Sequence, residues 1–335
     1  MIWLTWRQHR RQVLFTGIAL AVLAALMIPT GLAMRHSFTA LGLPACVAQR
    51  GQTGVARGPA DVCDAAFERF ENQYTAMTFI AVLFLVLPLL VALFWGAPLV
   101  AREVEQGTHR LAWTQGISRR HWALVKVGFV ATVTLAAALA YGLGMSWWMV
   151  PLIQADNGEG FKFFIFDMRG VVPIGYTLFA VALGIFAGAF WPKMLPAMAV
   201  TLTGFTGLRI ALTILARPRF LPASTRTDLV AGAADDSKAT AGDWVLSSGV
   251  RDAAGTLVMP GVRVQTQIGP GSKGAQCPPD ALATCPTPYG PGAYNWELYQ
   301  PASRFWLFQS IETGLYVGLA GLLLYLAIRR IRRIS

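Results

Sequence analysis

The sequence predicts an all-α polytopic membrane protein with six transmembrane helices. Its composition is 55% hydrophobic and only 13% charged, and its mean hydropathy is +0.49. A soluble domain is roughly 25% charged, so a water-exposed surface could not be covered with these residues. The apolar residues also come in runs of the length that crosses about 30 Å of hydrocarbon as a helix, which is about 20 residues.

Six runs satisfy that length, and charge within them is scarce. The exceptions are Lys126, Arg209 and Glu312. Pro88 in the second run is tolerable because neighbouring helices can satisfy the carbonyl groups that a proline frees. The first run is too long for a signal peptide, and no convincing cleavage motif follows it. The runs lie at about 13–34, 76–100, 122–150, 171–190, 194–216 and 305–328.

The distribution of basic residues places both termini in the cytoplasm. With the N-terminus inside, 13 of the 28 Lys and Arg residues fall on only 48 inside residues, whereas 14 are spread over 149 outside residues. Such enrichment orients helical proteins in the plasma membrane. It accounts for the net charge of +11, so no nucleic-acid partner is required. Membrane lipids are the expected surroundings.

All four cysteines fall on segments assigned to the exterior, where disulfides persist. Three connectivities are possible. Pairing within each loop is favoured, which would join Cys46 to Cys63 and Cys277 to Cys285. Unpaired cysteines remain the alternative. A metal site is not expected, because no His lies near either pair and CxxC spacing is absent.

The remaining organisation follows from composition. Trp3, Trp6 and nearby arginines suit a short helix in the membrane interface. A long Pro- and Gly-rich segment suits a small irregular exterior domain, with weak strand character at 243–250 and 256–259. The predicted divisions are an interfacial helix at 1–12, five spans at 13–216 with an exterior loop at 35–75 and a cytoplasmic loop at 101–121, the exterior cap at 217–304, and the last span with a basic tail at 305–335.

The cytoplasmic loop carries the clearest functional signal. We expect the second span to end near Gly107 and Thr108 to cap a short helix over 109–115. A solvated linker is the alternative. However, this loop holds Glu103 and Glu105, the two acidic residues predicted inside, among several arginines and apolar residues. That mixture favours docking to a partner.

The loop resembles that of permease subunits of type-2 ABC exporters, particularly the actinobacterial-looking ones. Their pattern is approximately R-E-x-E-x-G-T followed by Leu, Thr and Ser-Arg. The matching residues, in order, are Arg102, Glu103, Glu105, Gly107, Thr108, Leu111, Thr114, Ser118 and Arg119. The six-span layout is also similar, although the exterior loop at 35–75 is longer than the family leads us to expect.

The resemblance implies a partner and a coupling helix. A separate ABC ATPase dimer would bind ATP and Mg, and a second permease chain would complete the pathway. This chain lacks the G-x-x-x-x-G-K-[ST] motif, so it is expected to be a non-catalytic subunit with no cofactor of its own. The residues that would contact the ATPase are Arg102, Glu103, Glu105, Gly107, Thr108, His109, Leu111, Trp113 and Thr114.

Arg209 and Glu312 are predicted to form an ion pair inside the membrane. Each lies seven residues from the exterior end of its run, a depth of about 10 Å. Ionisable residues at such depth are functional candidates with a likely partner. The alternative is that both side chains extend separately to the interface. Gly184-x-x-x-Gly188 and Gly314-x-x-x-Gly318 are expected to serve packing within the chain.

The predicted function is ATP-driven efflux of an amphipathic or lipid-like substrate. From the resemblance, the pathway would follow the second and fifth spans. Its candidate residues are Phe79, Phe84, Thr201, Thr203 and Phe205. The alternative function is a membrane sensor that transmits an exterior signal without transport. A membrane enzyme is poorly supported, because no catalytic arrangement of Ser, His and Asp or of paired carboxylates lies at one depth.

Overall fold

The computed structural model describes residues 2–53, 60–105, 119–155, 160–161, 163–191, 193–230, 242–264 and 287–331. Most of these residues are helical. The α-helices are α1 Ile2–Ala40, α2 Leu43–Thr53, α3 Ala60–Phe84, α4 Leu87–Val91, α5 Ala97–Glu105, α6 Arg119–Ala155, α7 Phe163–Met168, α8 Val172–Phe190, α9 Met194–Ala211 and α10 Phe305–Ile331.

Five stretches of the described chain are long and apolar enough to cross a membrane. They are Val13–Ala40, Leu124–Ala155, Val172–Phe190, Met194–Arg219 and Ala302–Ile331. The second predicted run, 76–100, is the exception to the six-span expectation. It passes through the end of α3, a bend at 85–86, α4, the π-helical turn Ala92–Gly96 and the start of α5. Its longest apolar helical part is Leu87–Leu99.

The N-terminal segment does not form a separate interfacial helix. Residues 2–12 are helical, but they continue into the first span as the single helix α1 of 39 residues. At 1.5 Å per residue this helix is about 58 Å long, well beyond the roughly 30 Å of a hydrocarbon core.

The segment between the first two apolar runs is helical and is joined by a disulfide. Cys46 in α2 bonds Cys63 in α3, which confirms that predicted pair. Leu43, Phe67 and Phe70 are buried between these helices and the end of α6. Cys277 and Cys285 lie outside the described residues.

The segment predicted to form an exterior cap contains a sheet, so the chain is not all-α. Four antiparallel strands lie in the order β1-β4-β2-β3. β2 and β3 coincide with the two segments that showed strand character. The strands are β1 Ser224–Leu229, β2 Trp244–Arg251, β3 Leu257–Pro260 and β4 Tyr294–Gln300.

Ionic and aromatic contacts hold this sheet together and join it to the helices. Arg226 in β1 donates hydrogen bonds to Glu297 in β4, and it also pairs with Asp243. Burial alone would lower the pKa of Arg226, but the hydrogen bond to Glu297 and the nearby charges raise it. Trp244 stacks on Phe161, which precedes α7, with 5.6 Å between the ring centroids.

The central span is α8, which packs against α5, α6, α9 and α10. Its glycines allow the close approach of α5. A Cβ on Gly184 would lie 2.7 Å from the backbone nitrogen of Ala97, and one on Gly188 would lie 2.6 Å from the Ala97 carbonyl oxygen. The first small-residue motif therefore serves packing within the chain. A Cβ on Gly314 or Gly318 would meet no described atom within 4 Å.

Candidate functional site

Five buried polar side chains form an ion cluster between the helices. Asp167 of α7 accepts from Arg209 at 2.8 Å and, through its other oxygen, from Arg217 at 2.6 Å. Arg217 also donates two bonds of 2.8 Å to Glu312 of α10. The Tyr176 hydroxyl of α8 lies 2.9 Å from Asp167 and 2.5 Å from Glu312. The cluster thus joins α7, α8, α9 and α10.

The charges of this cluster balance. Two guanidinium groups face two carboxylates, and both carboxylate side chains have no exposed surface. Aromatic faces cover the cations, since Arg217 lies 4.2 Å above the Phe166 ring centroid and Arg209 lies 4.7 Å above that of Tyr176. Charges buried in this way are costly unless paired and fully hydrogen-bonded. The cluster therefore links four elements, and removing one charged member would leave an oppositely charged group buried without its partner.

The prediction that Arg209 and Glu312 pair directly with each other is wrong. Both residues are buried in the cluster, but Arg209 pairs with Asp167 and Glu312 pairs with Arg217. Sequence reasoning missed Asp167 and Arg217 because both were assigned to exterior loops. The available signal was the lone Asp167 within the apolar run FFIFDM.

A π-helical turn brings the two arginines together. Arg209 and Arg217 are eight residues apart, and a regular α-helix would leave them about 80° apart around the axis. The chain instead passes through the π-helical turn Leu212–Ala216. A π-bulge accommodates an extra residue and shifts the following side chains around the axis, and such bulges are frequent at functional sites. Both guanidinium groups consequently reach the same carboxylate.

The bend between α3 and α4 contacts this cluster through Arg209. Pro88 has no N–H, so the carbonyl of Phe84, four residues earlier, loses its helical donor. The Tyr141 hydroxyl of α6 donates to that carbonyl at 2.9 Å. Arg209 donates to the neighbouring Leu85 carbonyl at 3.4 Å. The expectation that neighbouring helices would satisfy the groups freed by this proline is confirmed.

Replacing Tyr141 by phenylalanine is expected to destabilise the chain by about 1–3 kcal/mol, because the Phe84 carbonyl would lose its donor in a half-buried setting. Reversible unfolding of the purified protein in mixed detergent micelles measures this change. Tyr325→Phe is the matched control, since Tyr325 is 59% exposed. Its expected effect is below about 0.5 kcal/mol. Equal stability of the two variants would contradict the proposed role of Tyr141.

Gln309 of α10 fixes the chain between α7 and α8. Its side-chain oxygen accepts from the N–H groups of Val171 and Val172 at 3.1 and 3.0 Å. Its nitrogen donates to the Phe166 carbonyl at 2.8 Å. The first N–H groups of a helix have no partner within that helix. Gln309 supplies that hydrogen-bond partner from a neighbouring helix. Its bond to the Phe166 carbonyl also holds in place the segment that carries Asp167, the next residue.

The predicted pathway residues do not share one cavity. Phe79 is exposed, Phe84 is half-buried and Phe205 is buried, and these three residues line three different cavities. Thr201 is buried and donates to the Ala197 carbonyl, while Thr203 is exposed.

The predicted coupling residues are described only in part. Arg102 and Glu105 are exposed at the end of α5. Glu105 accepts from the backbone N–H of Met194 at 3.2 Å, and it thereby caps the first turn of α9. The backbone of Glu103 is helical. The other candidates, Gly107, Thr108, His109, Leu111, Trp113 and Thr114, lie outside the described residues. In the part of the chain that is described, no three His, Cys, Asp or Glu residues form a metal-binding group.

Long apolar helices around a neutral buried ion cluster define a helical membrane protein. The chain matches the family model for ABC-2 membrane transporter related proteins over residues 17–217. It belongs to that family, because the match covers more than half of its length. Members are permease-type membrane subunits of ABC transporters, which are typically non-catalytic. No curated protein and no solved structure matches the chain.

Proposed function

We propose that this chain is the transmembrane subunit of an ATP-driven exporter. A separate ABC ATPase dimer would supply the energy, and two permease chains would enclose the pathway in the plasma membrane with their termini in the cytoplasm. The observation that carries the proposal is the position of the R-E-x-E-x-G-T pattern. It begins on the last turn of α5, a helix packed on the central span, in a chain of the ABC-2 family.

The packing of α5 would transmit a movement of the loop that follows it to the membrane-spanning helices. Gly96 and Ala97 lie against the backbone of Val181 and Gly184 in α8, so the two helices cannot slide past one another without separating. At the other end of the same interrupted helix, Arg209 holds the Leu85 carbonyl. A displacement of α5 by the ATPase would therefore act on the bend at 85–86 and on the ion cluster.

Glu105 provides a second route. Because it caps the N-terminus of α9, a partner that pulled on the end of α5 would also pull on the helix that carries Arg209. The substrate would move between α4 and α9 of the two chains, where Leu85, Leu89 and Phe205 line one cavity. Phe84 lines a different cavity, so of these two aromatic residues only Phe205 is kept as a proposed contact. An apolar lining of this kind suits an amphipathic or lipid-like molecule.

Charge reversal at Glu103 tests the ATPase contact. The tagged chain is purified from its own membrane in mild detergent, and co-purified ATPase is quantified by mass spectrometry and by ATP hydrolysis. Glu103→Lys is expected to reduce the recovered ATPase about tenfold or more, since like charges across an interface cost several kcal/mol. Glu105→Gln removes the charge but keeps a side-chain oxygen that accepts from the Met194 N–H. This variant therefore separates the effect of the charge from that of the helix cap.

Glu71→Lys is the matched control, because Glu71 is an exposed acidic residue on α3, far along the chain from the loop. This variant is expected to recover as much ATPase as the original chain. If the intact, folded chain recovers no ABC ATPase at all, the transporter proposal fails and the sensor function takes its place.

A further inference from the structure

A cavity of about 220 Å³ lies between the α3–α4 bend, α4, α9 and the π-helical turn that follows α9. Most of its wall is formed by the apolar side chains of Leu85, Val86, Leu89, Phe205 and Ile210. Arg209, Thr213 and the exposed Thr206 complete it. The volume is several times the roughly 30 Å³ that one water molecule occupies in the liquid, so the cavity has room for part of an organic molecule.

Arg209 enters this wall with most of its hydrogen-bond donors unmatched. A guanidinium group carries five N–H donors. Nη2 donates to Asp167 at 2.8 Å, and Nη1 reaches the Leu85 carbonyl only at 3.4 Å, beyond the usual range of about 2.7–3.2 Å. Nε is buried and has no acceptor in the described chain. The Arg209 side chain is 11% exposed, so an occupant of the cavity can supply an acceptor that this residue lacks.

Thr213 adds a second unmatched polar group to the same wall. A helical threonine often donates to the carbonyl four residues earlier, as Thr201 and Thr203 of α9 do at 2.7 and 2.9 Å. Thr213 lies instead in the π-helical turn Leu212–Ala216, and its hydroxyl is buried without a partner among the described residues. Unpaired polar groups are costly within a membrane. Two of them on one wall indicate a site for a molecule that accepts hydrogen bonds.

The depth of the cavity excludes the ester groups of membrane lipids. Arg209 lies fifteen residues after the start and ten before the end of the apolar stretch Met194–Arg219. Ten residues rise about 15 Å, which is half of the roughly 30 Å hydrocarbon core. Lipid headgroups and their ester linkages lie outside that core, in the interfacial region. The acceptor therefore belongs to a molecule that passes through the core.

The charge of the ion cluster decides which acceptor fits. Its two arginines and two carboxylates already balance. An anionic group beside Arg209 would leave a negative charge uncompensated inside the membrane, whereas a carbonyl oxygen accepts without adding charge. Building on the proposed pathway between α4 and α9, we infer that the transported molecule inserts an uncharged carbonyl group into this cavity, where the Arg209 guanidinium and the Thr213 hydroxyl donate to it.

Photolabelling of the full chain in proteoliposomes, without the ATPase, tests this inference. Benzophenone is the probe, because its ketone is an uncharged acceptor that attaches to neighbouring C–H groups under ultraviolet light. Mass spectrometry compares labelling of Leu89 and Ile210 in the cavity with that of Leu202, which is exposed on α9 and does not line it. We expect labelling to saturate at Leu89 and Ile210 but to rise in proportion to the probe at Leu202.

Competitors of matched shape separate the carbonyl group from apolar burial. Dicyclohexyl ketone and dicyclohexylmethane differ only in the carbonyl. The ketone is expected to suppress labelling of Leu89 at about a fivefold lower concentration in the membrane, which corresponds to one hydrogen bond. Dicyclohexylacetate, an anion, is expected not to suppress it.

Substitutions then test the cavity wall. Thr213→Val removes the hydroxyl but keeps the side-chain shape, and it is expected to weaken labelling of Leu89 about fivefold. Thr132→Val is the matched control, because Thr132 is exposed on α6 and does not line the cavity. Ile210→Trp is expected to fill the cavity and abolish the labelling, whereas Leu202→Trp keeps it. Ile210 and Leu202 are both exposed, and a monodisperse elution profile verifies that each variant is folded.

Equal suppression by the ketone and the hydrocarbon, or equal labelling of Thr213→Val and Thr132→Val, would overturn the inference and assign the two polar groups to water. Suppression by dicyclohexylacetate as strong as that by the ketone would overturn it too. The readout needs no ATPase, so its failure is distinct from failure of the transporter proposal. Site labelling without ATP-driven uptake would contradict export alone, and ATP-driven uptake without site labelling would contradict this inference alone.

Discussion

Replacing Arg217 by alanine is expected to lower the free energy of unfolding by about 3–5 kcal/mol, because the substitution leaves a buried carboxylate without its cation. Arg217 is 2% exposed and is the residue that pairs with both Asp167 and Glu312. Titration with a denaturing detergent in mixed micelles measures the loss. Arg219→Ala is the matched control, since Arg219 is exposed and, within the described part of the chain, its side chain bonds the Leu215 carbonyl of the preceding turn. Its expected effect is below about 0.5 kcal/mol.

The double variant Arg217→Met with Glu312→Gln sharpens this test. It removes one positive and one negative charge and leaves Arg209 paired with Asp167 at 2.8 Å. The remaining cluster is neutral, so the double variant is expected to be more stable than the sum of the two single losses by at least about 1 kcal/mol. Additive losses would contradict an energetic coupling between Arg217 and Glu312.

Replacing Gly188 by leucine is expected to prevent α5 from packing on α8, at a cost of about 3 kcal/mol or more. The added Cβ would lie 2.6 Å from the Ala97 carbonyl oxygen and 3.1 Å from the Ala101 nitrogen. Both are backbone atoms, which cannot rotate away as a flexible side chain can. Fluorescence-detected size-exclusion chromatography after heating measures the loss of monodisperse protein.

Gly318→Leu is the matched control for this substitution. It lies in the same motif, in another span, and a Cβ there meets no described atom within 4 Å. Its thermal profile is expected to match that of the original chain. Equal destabilisation by Gly188→Leu and Gly318→Leu would contradict the claim that Gly188 is required for close packing of α5 on α8.

Hydropathy alone predicted most of the helical fold. Five of the six apolar runs are helices of spanning length, because a long apolar run in lipid has to satisfy its backbone internally. The second run differs because Pro88 removes a helical hydrogen bond and the bend is held by Tyr141 and Arg209 from other helices. Such support depends on tertiary contacts, which a hydropathy profile does not contain.

The sheet was harder to predict than the helices. β1 pairs with β4, and Arg226 lies opposite Glu297, 71 residues further along the chain. The stability of these strands comes from pairing between distant segments and from burial on one side, so local β-propensity is weak. By contrast, the Cys46–Cys63 bond joins residues only 17 positions apart, and pairing within one loop was the favoured one of the three possible connectivities.

The sequence predicted two of the four charged residues of the ion cluster. Counting residues from the ends of the runs placed Arg209 and Glu312 at a common depth, and both are buried in the cluster. Their partners were missed for two structural reasons. The aromatic segment that carries Asp167 enters the bundle, and the π-helical turn Leu212–Ala216 rotates Arg217 inward. Neither feature leaves a periodic pattern in the sequence.

Movement of an amphipathic dye in proteoliposomes tests most directly whether this family member is the membrane subunit of a transporter. The co-purified complex is reconstituted, and uptake of a fluorescent hydrophobic cation is followed with ATP or with a non-hydrolysable analogue. Uptake that requires hydrolysis and is lost in the Glu103→Lys variant is the predicted result. Hydrolysis that responds to a ligand at the four-stranded sheet, without movement of the dye or of any other amphipathic compound supplied, would contradict transport and favour a sensor.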